Sequence, residues 1–383
     1  MALKVARRGR IPPFIVMDVM QAAAAREAQG AHVLHLELGQ PSSGTPKGVV
    51  AAAMEALARE PLGYTLALGI DPLRARIAAH YRDRHDVDVD PARIVVTTGS
   101  SAGFVLSFLA AFDVGDRVAL ADPSYPGYRN ILLALGVEPV GLPAGPETRF
   151  QPTVELLERA GPLDGLIVAS PSNPAGTVID AEEFARIVDY CRAKGMRLIS
   201  DEIYHGIVFG RMPATALSLD PDALVVNSFS KYFSMTGWRI GWMVCPPDIA
   251  RAVECLAQNI YISPPTLAQH AALAAFDCTA ELEANVARYA ENRALLLDGL
   301  PSVGFDRLAP ADGAFYLYAD VSALTNNSEE FCARMLAETG VATTPGIDFD
   351  QGRGRAYLRI SYAGATADMA GAIERLARWT KRS

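Results

Sequence analysis

The residues with the clearest chemical meaning lie together between positions 228 and 241 of the 383-residue chain. This stretch contains a single lysine, Lys231, with the hydroxyl of Ser228 three residues before it and the guanidinium of Arg239 eight residues after it. A lysine amine can form an imine with a carbonyl group. A serine and an arginine can together hold a phosphate, because the guanidinium fork matches phosphate oxygens. An amine nucleophile beside a phosphate-binding pair is the combination that pyridoxal phosphate requires, although the same residues also occur as surface side chains near a turn.

The stretch as a whole resembles a known motif. Its pattern S-x-S-K-x-x-x-M-T-G-W-R-I-G is similar to the lysine motif of the class I/II aminotransferases, the aspartate-aminotransferase-like, fold type I pyridoxal-phosphate-dependent enzymes. The resemblance extends from about residue 30 to the end of the chain. It implies an aminotransferase that moves an amino group between an amino acid and a 2-keto acid, through an imine at Lys231 and a pyridoxamine phosphate intermediate.

Apolar runs around the motif predict the strands that position it. Short and nearly continuous apolar segments occur at 94–98, 117–121, 165–169, 196–200, 224–228 and 240–244, with helix-like segments between most of them. This alternation predicts an α/β fold with a mostly parallel sheet that is covered by helices on both faces. The pattern after residue 247 predicts helices and then a smaller α+β domain. We therefore expect a large cofactor-binding domain at 46–284 and a small domain formed by 1–45 and 285–383.

Polar residues follow several of these strands, at the edge of the sheet where ligands of open α/β folds bind. Gly99, Ser100 and Ser101 follow the strand at 94–98 and open a helix, so their N–H groups and the helix dipole favour an anion. With Ser228 and Arg239 they form a candidate phosphate cradle. Taken alone, the serines are better explained as helix caps.

Other strand ends carry groups that suit a pyridine ring. Asp201 would face the ring nitrogen and keep it protonated, so that the ring accepts electrons. Asn173 and Tyr204 would hydrogen-bond the phenolic oxygen of the ring, and Tyr125 would lie over its face. Each of these residues also fits a cap, a turn or a core position. The resemblance implies that Lys231, Asp201 and Tyr204 are catalytic and that Lys231 moves the proton at the substrate Cα.

The resemblance implies further roles in substrate binding and assembly. Arg359 matches the arginine that grips the substrate α-carboxylate, with Asn173 and the backbone of Gly39 beside it. The enzyme is expected to be a homodimer in which Tyr64 reaches the phosphate site of the neighbouring subunit. The sequence offers no identifiable second cation for a side-chain carboxylate, so a dicarboxylic substrate is not predicted.

Composition and charge argue against several classes of partner. The formal net charge is −8 and no long basic run occurs, so neither nucleic acid nor a membrane surface is expected as a partner. The five cysteines are scattered and form no C-x-x-C pair, which predicts core thiols in a reducing compartment and no metal site. Pro12 and Pro13 interrupt the N-terminal apolar segment, which therefore does not suit a signal peptide, and a cytoplasmic location is expected.

Alternative activities remain open at this level. A C–S β-lyase or a decarboxylase would begin from the same imine, and a non-catalytic cofactor-binding domain would use the same fold. Residues 99–103 also fit G-x-S-x-G, the nucleophile elbow of serine hydrolases, with Ser101 as the nucleophile and His205 or His270 as its base. That hypothesis leaves the lysine motif without a role.

Overall fold

The computed structural model describes residues 3–210 and 212–381. Its α-helices, in chain order, are α1 (Ile15–Glu27), α2 (Lys47–Arg59), α3 (Asp71–His85), α4 (Gly99–Ala111), α5 (Pro126–Leu135), α6 (Val154–Ala160), α7 (Ala181–Lys194), α8 (Pro247–Ile260), α9 (Thr266–Ala275), α10 (Thr279–Gly299), α11 (Ser328–Thr339) and α12 (Thr366–Thr380). Its strands are β1 (Leu34–His35), β2 (Ile94–Thr97), β3 (Arg117–Asp122), β4 (Glu138–Pro143), β5 (Gly165–Ala169), β6 (Arg197–Asp201), β7 (Leu224–Ser228), β8 (Gly241–Val244), β9 (Arg307–Leu308), β10 (Tyr316–Asp320), β11 (Val341–Ala342), β12 (Thr344–Pro345) and β13 (Tyr357–Ser361).

A seven-stranded sheet in the order β2-β8-β7-β6-β5-β3-β4 forms the centre of the fold. Strands β3 to β7 pair in parallel, whereas β8 is antiparallel to both of its neighbours. Every residue of β2, β7 and β8 is buried, as expected when helices cover both faces of a sheet. The predicted α/β fold with a mostly parallel sheet is confirmed, and the six predicted strands occur within one residue of their expected ends.

Strand β4 was not predicted. It pairs only with β3, at the edge of the sheet. Its sequence, E-P-V-G-L-P, contains two prolines and a glycine, which weaken any strand signal. Proline cannot donate to a ladder of hydrogen bonds and is tolerated at a sheet edge, so the position in the sheet explains this composition.

The lysine motif occupies the loop between β7 and β8. The antiparallel pairing of Ser228 with Gly241 closes the base of this loop. Just inside it, the ring of Phe229 packs at 4.9 Å from the ring of Trp242, and both side chains are fully buried. A loop that is closed at its base and anchored by large rings has little freedom, so Lys231 is held firmly at the carboxyl end of β7.

A smaller antiparallel sheet in the order β12-β13-β10-β9 is formed by the C-terminal part of the chain, and β1 pairs in parallel with β11. The N-terminal segment is thereby joined to the C-terminal region. The predicted domain boundary between residues 284 and 285 falls within α10, which is continuous. The division into 46–284 on one side and 1–45 with 285–383 on the other stays a prediction.

The uncharged stretch at 94–112 is divided between a buried strand and a helix, β2 and α4. Among the residues that the structure describes, no helix combines the length and apolar character needed to cross a lipid bilayer.

Candidate active site

A cavity of about 180 Å³ lies beyond the carboxyl ends of the central strands. Ten of the predicted site residues line it: Gly39, Ser100, Ser101, Tyr125, Asn173, Asp201, Tyr204, Lys231, Arg239 and Arg359. Three others do not, namely Gly99, Ser228 and Tyr64. The structure therefore brings together residues that are separated by more than 300 positions in the chain.

Lys231 projects into this cavity, where its Nζ donates a hydrogen bond to the carbonyl oxygen of Gly39 at 2.6 Å. Burial lowers the pKa of Lys231 to about 8, and the nearby cations Arg359 and Arg239 add to this effect while Asp201 opposes it. A fraction of the amine is then neutral near pH 7. A neutral amine in a preformed cavity is suited to attack a carbonyl carbon.

Asp201, at the end of β6, is a buried carboxylate held by two donors. The Tyr128 hydroxyl donates to Oδ2, and the Ile203 N–H donates to Oδ1 at 3.1 Å. Burial raises the pKa of Asp201 to about 6, although these two hydrogen bonds act in the opposite direction. Asp201 is therefore ionised at neutral pH and can hold a proton on a facing nitrogen. Sequence reasoning missed Tyr128, although it lies one helical turn after Tyr125.

The candidate phosphate cradle lies at the first turn of α4. Gly99 has φ +74°, and a Cβ atom at this position would lie 2.6 Å from Nη2 of Arg239. Arg239 also adopts a left-handed backbone conformation, and its Nη1 donates to the carbonyl oxygen of Thr236 at 3.0 Å. The glycine thus lets the guanidinium approach the helix N-terminus. The partial positive charge of the helix end and the full positive charge of Arg239 together favour an anion there.

The two serines of the motif play different parts in this cradle. Ser230 lines the cavity, whereas Ser228 does not. The Ser228 Oγ accepts a hydrogen bond from the Ser230 N–H at 3.1 Å and lies 2.9 Å from the Ser230 Oγ. The S-x-S pattern contains both serines, but only Ser228 was expected to bind phosphate. Ser230 is the hydroxyl that the structure presents to a ligand.

Arg359, on β13, is a buried cation with a nearly complete set of partners. Its Nη1 donates to Oδ1 of Asn173 at 2.9 Å, and its Nη2 donates to the carbonyl oxygen of Glu37. Its guanidinium carbon lies 4.4 Å and 4.8 Å from the ring centroids of Tyr316 and Phe349, which is cation–π geometry. Such a pre-positioned guanidinium is suited to bind a carboxylate.

Tyr316 is a further site residue that sequence reasoning missed. Its hydroxyl lies 2.7 Å from the hydroxyl of Tyr204, and its ring lines the cavity. A Cβ atom at position 39 would lie 1.8 Å from the same hydroxyl, so only glycine permits this approach. No motif marks Tyr316, because a tyrosine in an apolar strand normally signals a core position.

One wall of the cavity is apolar and comes from the N-terminal segment. Phe14, Val16 and Met17 line it, and the ring of Phe14 contacts the ring of Tyr125 edge-on at 5.7 Å. The carboxylate of Asp348 accepts the N–H groups of Ile15 and Val16, both at 3.2 Å, and thereby fixes the start of α1. Apolar residues before a helix carry no chemical signal, so this wall could not be foreseen from the sequence.

Tyr64 lies in the loop between α2 and α3, and 83% of its surface is exposed. The loop is tied to α9, since Thr266 Oγ1 donates to the carbonyl oxygen of Gly63 at 2.6 Å and Gln269 Nε2 donates to Thr65 Oγ1 at 3.1 Å. Tyr64 is thus displayed on a fixed loop, outside the cavity of its own chain.

The serine-hydrolase alternative lacks the required neighbour. Ser101 lines the cavity, but no histidine among the described residues lines it. His205 instead lines a different pocket, and its Nε2 lies 3.0 Å from the carbonyl oxygen of Ser170. A Ser–His pair is therefore not formed.

Comparison with known proteins agrees with this geometry. The family model "Aminotransferase class I and II" matches residues 31–376. The chain belongs to the class I and II aminotransferase family. It is 55% identical, over 98% of each chain, to a valine–pyruvate aminotransferase of Mycobacterium tuberculosis. The crystal structure of an aminotransferase from M. tuberculosis matches with a TM-score of 0.98 and 54% identity over all of both chains. Aspartate aminotransferase of Thermus thermophilus, solved with maleate, matches with a TM-score of 0.93 and 32% identity over 98% of this chain and 100% of the other.

These findings identify a pyridoxal-phosphate-dependent aminotransferase, and none of them favours a β-lyase, a decarboxylase or a serine hydrolase. The residues of the cavity fit the family cofactor. Gly99 leaves the space that the Arg239 guanidinium needs at the helix N-terminus, and Asp201 offers an ionised carboxylate for a protonated ring nitrogen. Lys231 offers an amine of lowered pKa between them.

We predict that Gly99→Ala weakens pyridoxal phosphate binding about tenfold or more, because the methyl group would displace the Arg239 guanidinium and cost about one charge-assisted hydrogen bond. Equilibrium dialysis of the cofactor would measure this. Gly30→Ala is a matched control, since Gly30 has a similar φ of +86° with no atom in the way. Equal affinities of the two variants would contradict the cradle.

Proposed function

We propose that the enzyme transfers the amino group of an amino acid with a branched, apolar side chain to a 2-keto acid such as pyruvate. The observation that carries this proposal is the charge of the cavity lining. Among the described residues that line it, the cations are Lys231, Arg239 and Arg359. The imine requires Lys231, the phosphate requires Arg239 and the substrate α-carboxylate requires Arg359, which leaves no cation of this chain's lining for a side-chain carboxylate.

The remaining wall supports the same proposal. Phe14, Val16, Met17 and Leu38 contribute apolar side chains to the lining, and the ring of Phe14 contacts the ring of Tyr125. Burial of one methylene group contributes about 0.8 kcal/mol, so such a wall favours a branched aliphatic side chain and disfavours a charged one. The relative of 55% identity is named for valine and pyruvate.

Four polar side chains would have direct roles in this reaction. Arg359 would hold the substrate α-carboxylate as a bidentate pair. Lys231, with a pKa of about 8, would take the proton from the substrate Cα and return it at the end of the half-reaction, since general bases work best with a pKa near the working pH. Asp201 would keep a proton on the cofactor ring nitrogen, and the Tyr204 hydroxyl would donate to the phenolic oxygen. When bound, pyridoxal phosphate supplies the electron sink for the broken Cα–H bond.

We also infer a homodimer with a shared active site. Exposed apolar side chains occur on neighbouring elements around Tyr64: Val50, Met54, Leu57, Leu66, Ile260 and Ile262. Exposed apolar patches of this kind mark interaction surfaces. A second copy on this face would cover them and receive Tyr64 near its phosphate cradle.

All five cysteines are free thiols, which supports a reducing, cytoplasmic environment.

A single-turnover screen of amino donors tests the substrate assignment. We expect valine, leucine and isoleucine to convert the bound cofactor, followed by its absorbance, with apparent second-order rate constants at least about tenfold above that of alanine, given the extra methylene groups. Aspartate and glutamate should react more slowly than alanine, because each would bury a charge against the apolar wall. Faster reaction of aspartate than of valine would contradict the assignment.

A complementation experiment tests the shared site. Tyr64→Ala and Lys231→Ala are each expected to be inactive, and activity should return when the two are mixed and exchange subunits. The mixed dimer would carry one site with its own Lys231 and with Tyr64 from its partner. A mixture of Lys231→Ala with Asp201→Asn is the matched control and should stay inactive, because both residues serve their own chain. If exchange is confirmed by mass and no activity returns, Tyr64 does not serve the neighbouring site.

A further inference from the structure

Two main-chain carbonyl groups near the N-terminus hold two of the three cations that line the site. The carbonyl oxygen of Glu37 accepts hydrogen bonds from Nη2 of Arg359 and, at 2.9 Å, from Oγ1 of Thr344. The carbonyl oxygen of Gly39 accepts from Nζ of Lys231 at 2.6 Å. The path of the backbone from 37 to 39 therefore sets where Arg359 and Lys231 lie.

The side chain of Glu37 anchors this backbone segment. It is fully buried, and its Oε1 lies 2.9 Å from Nδ1 of His35. The other ring nitrogen of His35, Nε2, lies 3.2 Å from Oε1 of Glu27, in the last turn of α1. His35 is thus held between two carboxylates, one on each ring nitrogen.

This arrangement determines the protonation state of the imidazole. An ionised carboxylate only accepts hydrogen bonds, and a neutral imidazole has a single N–H. Both contacts of His35 can form together only when the ring carries two N–H groups and a positive charge. In the neutral form, a lone pair would face one of the two carboxylates and that contact would be lost.

The surroundings of His35 agree with a charged ring. Partial burial lowers the pKa of His35, but the hydrogen bonds and charges of Glu37 and Glu27 outweigh it, and the net pKa lies above 6.5. Other charged groups on the elements around β1 are directed elsewhere. Arg26 of α1 donates to the carbonyl oxygen of Ala337, Arg375 of α12 binds His32, and Asp368 of α12 lies beside Gly364.

The same contact joins two parts of the site. Helix α1 carries Glu27 in its last turn, whereas residues at its start, Val16 and Met17, line the apolar wall. His35 therefore ties the helix behind the apolar wall to the backbone segment that holds Arg359. Loss of this contact would loosen the position of both relative to the cavity.

We propose that His35, as an imidazolium bound between Glu27 and Glu37, is a positioning residue that keeps the Glu37 carbonyl, and through it Arg359, in the geometry that binds the substrate carboxylate. This inference rests on the proposed role of Arg359. It implies that carboxylate binding weakens when His35 loses its proton.

Binding of 3-methylbutanoate to the holoenzyme tests this inference. This probe has a branched apolar chain and a carboxylate but no amine, so it binds without turnover, and its Kd can be read from the cofactor absorbance between pH 6 and pH 9. The ratio of the Kd of His35→Gln to that of the wild type removes the pH dependence of other groups. We expect a ratio of about three to ten at pH 6, the weight of one hydrogen bond, and a ratio that falls as the pH rises through the raised pKa of His35, where the wild-type ring also loses one of its two contacts.

Two further variants sharpen the test. Glu27→Gln leaves Glu37 intact and should give a smaller ratio with the same pH dependence, because Glu27 is partly exposed and its pair is screened. His32→Gln is the matched control, since His32 is an exposed histidine of the same segment that contacts Arg375 and no carboxylate, and its ratio should stay near one throughout.

Thermal unfolding measures the contribution of His35 to stability independently of ligand binding. Because the folded-state pKa of His35 is raised, its stabilising contribution is complete below pH 6.5 and is lost as the pH rises through the folded-state pKa. The Tm difference between wild type and His35→Gln should therefore be largest at low pH.

The possible outcomes separate the inference from its premise. A Tm difference without a change in Kd, or a Kd ratio that does not vary with pH, would overturn the positioning role. If Arg359→Lys weakens probe binding while His35→Gln leaves it unchanged, the role of His35 alone fails. If Arg359→Lys also leaves binding unchanged, the proposed role of Arg359 fails and the inference is overturned with it.

Discussion

The burial of Lys231 beside two arginines is the constraint on which the rest of the site depends. Among the described residues, Lys231, Arg239 and Arg359 line the cavity against the single carboxylate of Asp201. The pKa of Lys231 reflects this arrangement, because burial and the two arginines lower it to about 8. Two anionic groups bound near the arginines would relieve the repulsion among these cations. A phosphate near Arg239 and a carboxylate near Arg359 would satisfy both guanidinium groups and leave the lysine between them free for chemistry.

The fold meets this constraint with close backbone approaches. Glycine at position 99 admits Arg239 to a helix N-terminus, and glycine at position 39 lets a main-chain carbonyl reach Lys231 beneath Tyr316. The antiparallel pairing of β7 with β8 fixes the loop from which Lys231 projects. The cations are thus held by backbone groups, which cannot move without the elements that carry them, and electrostatic preorganisation follows from this rigidity.

The sequence predicted those parts of the structure whose signals are local. Apolar runs marked the central strands, and their polar ends led to Asn173, Asp201 and Lys231, all of which line the cavity. Strand β4 was missed because its prolines and glycine are tolerated only at a sheet edge. The sequence did not predict Tyr128, Tyr316 or the apolar wall. Residues of these types are common in protein cores, and here they belong to the site only through contacts with residues far away in the chain. Tyr64 lies outside the cavity of its own chain, and its role in a neighbouring subunit stays a prediction.

The central claim is that Lys231 forms the imine with the cofactor. Borohydride reduction of the holoenzyme fixes such an imine as a stable amine, and peptide mapping then locates it. The chain contains only four other lysines, Lys4, Lys47, Lys194 and Lys381, so the assignment is unambiguous. We predict a single adduct of pyridoxal phosphate mass on the peptide that contains Lys231. An adduct on any of the other four lysines, with Lys231 unmodified, would contradict this account.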